Sequence, residues 1–252
     1  MNKKTICITG ASSGIGAALA KYYAAEKQRL FLIARHQDRL NQLAHECRQQ
    51  GAEVSVGIID VSDADAMAVW LNEQQNQFPI DLLIINAGIS TTQAFQTTKN
   101  VFQAETRLIS VHLQGMLNTL SPVLEKMQQR GCGQIALMSS INAFISLPRN
   151  PMYGAVKNAV LHYGLALRNR LSTQNIKVNI LCPGWIDTPL TAGNKFPMLF
   201  LRDVNYAVKK MTTGLLKNKT IIAFPWQLKW ALTIFNWLPL SWRQAIARRV
   251  GA

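Results

Sequence analysis

The sequence lacks clustered cysteines, metal-ligand spacing and long apolar runs. Its four cysteines include no C-x-x-C pair, and its four histidines show no metal-ligand pattern. These absences argue against a disulfide scaffold and a metal centre, so we expect reduced thiols, no bound metal and a cytoplasmic location. No apolar stretch reaches the roughly 18 to 20 residues of a membrane span. The 252 residues show no repeat or linker, and we predict one domain over 1–252, with 225–252 as its C-terminal extension.

Acidic residues are scarce, above all in the last part of the chain. Asp and Glu number 13 against 27 Lys and Arg, a formal net charge of +14, and residues 195–252 hold ten of the basic residues but one acid, Asp203. Ser241 begins a capping-box pattern that predicts a helix to about Val250. Four tryptophans accompany the charge: Trp226, Trp230, Trp237 and Trp242.

Three interpretations of this basic, tryptophan-rich tail stay open. It packs on the core or on a sister subunit, it lies on an anionic membrane surface as a peripheral contact, or it attracts nucleic acid nonspecifically. We expect no specific nucleic acid binding, because no recognition motif accompanies the charge.

Apolar runs alternate with helical periodicity along the chain. This alternation predicts parallel strands joined by right-handed crossovers. The fold class is therefore α/β: a Rossmann-type doubly wound parallel sheet of about seven strands, with helices on both faces and a helical C-terminal extension. The predicted strands lie near 4–9, 29–34, 53–59, 80–86, 133–139, 176–182 and 219–224, and the predicted helices near 14–27, 37–50, 63–77, 99–130, 152–172 and 203–217.

A run of glycine and serine joins the first strand to the first helix, with the spacing G-x-x-x-G-x-G. Glycines let the backbone approach a pyrophosphate, and the free N–H groups at a helix start attract an anion. An ordinary turn before a helix has the same composition, so this pattern alone leaves both interpretations open. The candidate cofactor-binding residues here are Gly10, Ser12, Ser13, Gly14, Ile15 and Gly16.

A tyrosine and a lysine four residues apart form a second pattern. Tyr153 and Lys157 share one helix face, and a nearby ammonium favours the phenolate, which brings the pKa of the phenol closer to the working pH of a general acid or base. Ser140 stands thirteen residues earlier, after a strand-like run, where its hydroxyl can face a substrate carbonyl. The alternative is a surface tyrosine beside a solvated lysine.

Together the two patterns resemble the short-chain dehydrogenase/reductase family, over roughly residues 3 to 225. Three further segments match that family. The resemblance implies that Asn86-Ala87-Gly88 forms a turn at the cofactor, that Asp60-Val61 contacts the adenine, and that a later segment covers the nicotinamide. The residues of that later segment are Pro183, Gly184, Ile186 and Thr188.

The resemblance implies hydride transfer between a nicotinamide and a carbonyl or alcohol carbon, with a small-molecule substrate and a homo-oligomeric protein. Tyr153 would donate the proton, Lys157 would lower its pKa and hold the nicotinamide ribose, and Ser140 would polarise the carbonyl. One position departs from the family, because His112 stands where an asparagine is usual. Histidine either relays protons, since it titrates near neutrality, or packs beside the site as an ordinary helix residue.

The end of the second strand bears on the choice of cofactor. An acidic residue there would bind the ribose hydroxyl of NAD, but this chain has Ala34 followed by Arg35. A planar guanidinium suits a 2′-phosphate, so we predict NADP(H) over NAD(H). The alternative is that Arg35 only begins a solvated stretch with His36 and Arg39.

Apolar residues follow the nicotinamide segment, where relatives carry a mobile lid. They either line the pocket of an apolar substrate or complete the core. The main hypothesis is an NADP(H)-dependent carbonyl reductase or alcohol dehydrogenase, and the competing one is a nucleotide-binding sensor or scaffold with little turnover. The lid residues are Pro189, Leu190, Phe196, Met198, Leu199 and Phe200.

Overall fold

One parallel sheet of seven strands forms the centre of the molecule, in the order β3-β2-β1-β4-β5-β6-β7. The structure is a computed structural model that describes residues 3–193 and 198–250. The predicted Rossmann-type doubly wound sheet is confirmed. The strands are β1 (Thr5–Thr9), β2 (Arg29–Ala34), β3 (Glu53–Ile58), β4 (Leu82–Ile85), β5 (Gly133–Met138), β6 (Ile176–Pro183) and β7 (Ile221–Phe224).

Helices connect and cover these strands. A π-helical turn, Ser110–Gln114, separates α5 from α6, so the single helix predicted near 99–130 is divided. Helix α4 was not predicted, and α9 was predicted only as part of the helical extension over 225–252, without bounds of its own. The helices are α1 (Gly14–Ala25), α2 (Gln37–Gln49), α3 (Ala64–Gln77), α4 (Thr91–Thr97), α5 (Val101–Ile109), α6 (Gly115–Arg130), α7 (Pro151–Arg170), α8 (Val204–Leu216), α9 (Trp226–Trp237) and α10 (Leu240–Val250).

Both faces of the sheet are buried, which explains why the strands are apolar runs without polar alternation. In β1, Ile6 and Ile8 face the core formed with α1, α2 and α8, whereas Cys7 faces the core formed with α3, α6 and α7. Successive side chains of a strand point to opposite faces, so one short strand contributes to both cores.

The sheet contains a topological switch point at β1, whose neighbours are β2 on one side and β4 on the other. At such a point the connections leave the sheet in opposite directions and open a crevice beyond the carboxyl ends of the strands. The glycine turn follows β1 directly, and the segment Asn86-Ala87-Gly88 follows β4. The fold therefore brings these two distant segments to one crevice.

The C-terminal helices lie against the domain through one side only. Helix α9 has half-buried Leu228, Leu232 and Phe235, but none of its residues, all of them described, is fully buried. Its three tryptophans are exposed, so α9 packs on the core of the single chain through these other residues and not through its indoles. Helix α10 begins at Leu240, which puts Ser241 inside the first turn and not at the cap position that its sequence pattern predicted. Within the described ranges, we find no helix long and apolar enough to cross a membrane.

Candidate active site

A cavity of about 970 Å³ opens at the switch point. It collects residues that the sequence analysis predicted from eight separate stretches of the chain. Of the predicted site residues, Gly16 alone is absent from its lining. The predicted residues that line it are Gly10, Ser12, Ser13, Gly14, Ile15, Arg35, Asp60, Val61, Asn86, Ala87, Gly88, His112, Ser140, Tyr153, Lys157, Pro183, Gly184, Ile186 and Thr188.

The glycine turn is held by the segment after β4. The Asn86 side chain donates to the carbonyl oxygens of Thr9 and Gly10, at 3.0 and 3.2 Å. The hydroxyl of Thr9 in turn accepts from the backbone N–H groups of Asn86 and Ala87, both at 3.1 Å. A Cβ on Gly16 would collide with the carbonyl oxygen of Gly10 and lie 2.6 Å from Asn86 Nδ2. Gly16 therefore allows close packing behind the turn, and Thr9 is a supporting residue that the sequence analysis missed.

The turn also has the shape of an anion cradle. Gly10 and Gly14 have φ values of +66° and +54°, which glycine adopts without strain. Helix α1 starts at Gly14 with Ser13 at its N-cap, so its first N–H groups and the positive end of its dipole lie at the cavity. This backbone fits the pyrophosphate of a dinucleotide.

Three candidate catalytic side chains meet at the other end of the cavity. Ser140 caps a short 3-10 turn, Ile141–Phe144, and its hydroxyl accepts from the N–H of Asn142 at 3.2 Å. Since this bond uses an oxygen lone pair, the hydroxyl hydrogen is left to donate elsewhere. Tyr153 and Lys157 lie in the first two turns of α7, and Lys157 Nζ is 5.8 Å from the centre of the Tyr153 ring.

Burial dominates the protonation of both groups. It raises the pKa of Tyr153 to about 12, against an opposing hydrogen bond with Ser140. It lowers the pKa of Lys157 to about 7. Lys157 Nζ donates to the carbonyl oxygen of Met138 at 2.8 Å, so its ammonium is directed to the backbone. The expected lowering of the pKa of Tyr153 is therefore not observed, and the phenol is a protonated donor at neutral pH.

His112 lies in the π-helical turn and packs beside Tyr153. Its ring contacts the Tyr153 ring edge-on, with 5.6 Å between the ring centres, and its Nε2 is 2.9 Å from the carbonyl oxygen of Ile89. Burial and the charge of Lys157 hold the pKa of His112 well below its usual value. The lowered pKa favours a neutral imidazole, which supports the packing interpretation over the proton relay.

Two arginines contact the carboxylate of Asp60, the residue predicted to contact the adenine. Arg107 Nη2 is 2.6 Å from Asp60 Oδ2, and Arg35 Nη1 is 3.4 Å from the same oxygen. Burial raises the pKa of Asp60, but bonds from Ser62 and Arg107 outweigh it and lower the pKa to about 2. Arg107 also lines the cavity, and the sequence analysis missed it.

The substrate end of the cavity is less apolar than the lid pattern suggested. Of the lid, Pro189 and Leu190 line the cavity, Leu199 and Phe200 are exposed, and Phe196 lies outside the described residues. Helix α4 and the loop before α7 supply polar side chains that the sequence analysis missed. The capping box from Ser90 to Gln93 was the sequence signal that could have predicted the start of α4. These additional lining residues are Thr92, Gln96, Thr97, Arg149 and Asn150.

Comparisons with known proteins agree with this geometry. A family model described as short chain dehydrogenase matches residues 4–196. An uncharacterized oxidoreductase of Myxococcus xanthus is 31% identical over 251 residues, which cover 99% of this chain and 98% of that protein.

Two solved structures are also similar to this chain. The bulky-bulky ketone specific alcohol dehydrogenase from Comamonas testosteroni has a TM-score of 0.79 at 28% identity, covering 89% of this chain and 87% of that chain. A short-chain dehydrogenase from Sphingobium yanoikuyae, in complex with NADPH, has a TM-score of 0.80 at 27% identity, covering 87% of each chain. Because the family model covers more than half of the sequence and the bacterial relative aligns almost end to end, the chain belongs to the short-chain dehydrogenase family of oxidoreductases.

Proposed function

We propose that this protein is an NADP(H)-dependent oxidoreductase that interconverts a carbonyl and an alcohol. The observation that carries the proposal is the meeting of Ser140, Tyr153 and Lys157 in the same cavity as the anion cradle of the glycine turn. Two similar structures support the substrate class and the cofactor, since one is a ketone-specific alcohol dehydrogenase and the other is bound to NADPH.

The side chains divide the acid–base work. A bound nicotinamide supplies the hydride in reduction and accepts it in oxidation. Tyr153 donates its phenolic proton to the carbonyl oxygen, and its raised pKa keeps that proton available at neutral pH. Ser140 donates a hydrogen bond from its hydroxyl to the same oxygen, keeps its own hydrogen and polarises the carbonyl. Lys157 would hold the nicotinamide ribose, and His112 positions the turn at Ile89 and the ring of Tyr153.

The preference for NADP(H) depends on Arg35. Its guanidinium follows β2, lines the cavity and makes a long contact of 3.4 Å with Asp60. A 2′-phosphate would gain charge-assisted hydrogen bonds there, worth about 1.5–3 kcal/mol. The expected result for Arg35→Ala is weaker NADPH binding by that amount, with a much smaller effect on NADH, measured by calorimetric titration.

The test of the activity is a screen of the purified protein with NADPH against aromatic, steroid, acyl and sugar carbonyls. On the best substrate, Tyr153→Phe should abolish turnover and leave NADPH binding nearly intact, because only the phenolic proton is lost. Tyr163→Phe is the matched control, since Tyr163 is a half-exposed tyrosine on the same helix. Near-normal turnover by Tyr153→Phe would remove the assignment of the acid. NADPH binding without turnover of any carbonyl would instead favour a nucleotide-binding sensor or scaffold.

We further propose that the protein acts as a homo-oligomer in the cytoplasm, with a peripheral contact at the membrane surface. The exposed tryptophans of α9 support a contact outside the single chain. Sedimentation velocity of the purified protein tests the oligomeric state.

A further inference from the structure

The outer side of α9 carries a stripe of large apolar side chains. Trp226, Trp230, Ile234 and Trp237 follow one another at spacings of four, four and three residues, which puts them on one face of the helix. Their exposed fractions are 65%, 61%, 56% and 81%. We call these four residues the aromatic stripe.

The opposite side of α9 is apolar as well. Leu228, Leu232 and Phe235 are half-buried against the domain. A wide apolar face of a helix is normally covered by another element or by an apolar medium. The domain covers only the inner side of α9, so the aromatic stripe needs a second apolar environment.

The charge of the last part of the sequence, which includes α9 and α10, is of one sign. Asp203 is the last acidic residue of the sequence, and eight lysines and arginines follow it. The ion pairs described within 3–193 and 198–250 all involve residues before 108, so these later cations face no carboxylate there. The eight are Lys209, Lys210, Lys217, Lys219, Lys229, Arg243, Arg248 and Arg249.

From this charge we propose that α9 and α10 dock the protein on an anionic lipid surface. A second copy of the face that α9 and α10 form would oppose the exposed Lys229, Arg248 and Arg249 with an identical set, and like charges across an interface are unfavourable. Anionic headgroups attract them instead, and tryptophan is the side chain best suited to the boundary between headgroups and acyl chains. With 12 residues, α9 is too short to span the bilayer and lies in its plane.

The docking surface adjoins the candidate active site. Asn236 Nδ2 donates to the carbonyl oxygen of Phe144 at 3.2 Å, in the 3-10 turn that follows Ser140. Leu228 Cδ1 lies 3.1 Å from the position that a Cβ on Gly184 would take. Since Gly184 and the 3-10 turn both border the cavity, a bilayer bound at the stripe lies beside its wall.

The test is cosedimentation of the full-length protein with vesicles of phosphatidylglycerol and phosphatidylcholine in equal parts. We expect binding at low salt, strong weakening at high salt, and little binding to phosphatidylcholine alone. Replacing Arg248 and Arg249 together by glutamine should lower the partition coefficient by roughly fivefold per charge. The charge-matched control replaces the exposed Lys99 and Arg170, which lie outside the tail, by glutamine as well.

A second variant separates the apolar contribution. Trp226, Trp230 and Trp237 are replaced together by glutamine, and we expect at least about a tenfold loss of vesicle binding with an unchanged melting temperature, because the three indoles are exposed. Phe102→Gln is the control, since Phe102 on α5 is 77% exposed and distant in sequence from the tail.

Three results would overturn the proposal. The intact protein fails to sediment with the anionic vesicles at low salt, or it binds phosphatidylcholine equally well. The third is a triple variant that binds vesicles normally and only changes the oligomeric state in sedimentation velocity, which would make a second copy the partner of the stripe.

Discussion

Arg107 Nη2 lies 2.6 Å from Asp60 Oδ2, closer by 0.8 Å than Arg35 Nη1, which lies 3.4 Å from the same oxygen. Arg107 also donates to the hydroxyl of Ser62 at 3.3 Å. The carboxylate therefore has its main partner in α5, and Arg35 is left with a long, weak contact. Without Arg107, Arg35 would be the remaining cation on Asp60. Arg107 thus keeps a positive charge available at the end of β2.

Replacing Arg107 should consequently weaken NADPH binding without any direct contact with the phosphate. In Arg107→Gln, Asp60 pairs with Arg35, and we expect the dissociation constant of NADPH to rise about tenfold, with a smaller change for NADH. Calorimetric titration with both cofactors measures the difference. Arg170→Gln, at the end of α7, serves as the control. An equal loss for the two cofactors would show that Arg107 acts only through the general shape of the site.

The same carboxylate predicts an acid dependence of stability. Its pKa falls from 3.8 to about 2 on folding, so its contribution is fully present above about pH 4 and is lost as the pH falls from there to about 2. Asp60 is partly solvated, and after allowance for screening we expect Asp60→Asn to lower the free energy of unfolding by about 1–2 kcal/mol near pH 6. The difference should vanish at about pH 2. Urea unfolding across this range measures it, with the exposed Glu73→Gln as control. A difference that does not depend on pH would contradict the linkage.

The strands could be predicted because strands that are buried on both faces are uninterrupted apolar runs in the sequence. Each predicted strand lies within two residues of the observed one at both ends. The division between α5 and α6 was not predicted, because the sequence analysis treated the apolar pattern of 99–130 as one helix, and a π-helical turn occurs as a short bulge inside such a helix. The bounds of α9 inside the predicted helical extension were also not predicted, because its apolar residues occupy two opposite sides.

At the site, local spacing was informative and long-range pairing was not. Tyr153 and Lys157 could be placed on one helix face from four-residue spacing alone. The burial of these two side chains could not be predicted from spacing. Burial reverses the expected direction of the pKa shift of Tyr153. The pairing of Arg107 with Asp60 could not be predicted, because 47 residues separate them and no local spacing connects them.

Gly16 should tolerate no side chain. In Gly16→Ala, the new methyl group meets the carbonyl oxygen of Gly10 and the Asn86 side chain, and both belong to the hydrogen-bonded support of the cradle. We expect a loss of about 1–3 kcal/mol in the free energy of unfolding, together with weaker cofactor binding. Gly154→Ala is the matched control, since the nearest atoms to its Cβ are 3.8 Å away. Inside α7, that alanine should be neutral or stabilising by up to about 1 kcal/mol. Equal stabilities of the two variants would mean that the turn can shift.

The role of His112 is either to relay protons or to position its neighbours, and variants of this residue distinguish the two. The ring is neutral because burial and Lys157 hold its pKa well below the usual value, so its titration should be absent from the pH dependence of kcat near neutrality. His112→Leu leaves the backbone at Ile89 without its side-chain partner, and we expect a loss of about 1–3 kcal/mol in stability. Its kcat should fall because Tyr153 is less well positioned, but the shape of the pH profile between about pH 6 and 8 should stay unchanged.

His112→Asn provides the second measurement, since asparagine keeps polar groups in the turn but removes the ring packed on Gly88 and Tyr153. The exposed His162→Leu on α7 controls for the general effect of losing a histidine. If His112 positions the turn, both His112 variants lose stability and retain the wild-type profile. If either variant loses a limb of the profile near neutrality while its melting temperature is unchanged, His112 carries protons and the positioning role is wrong.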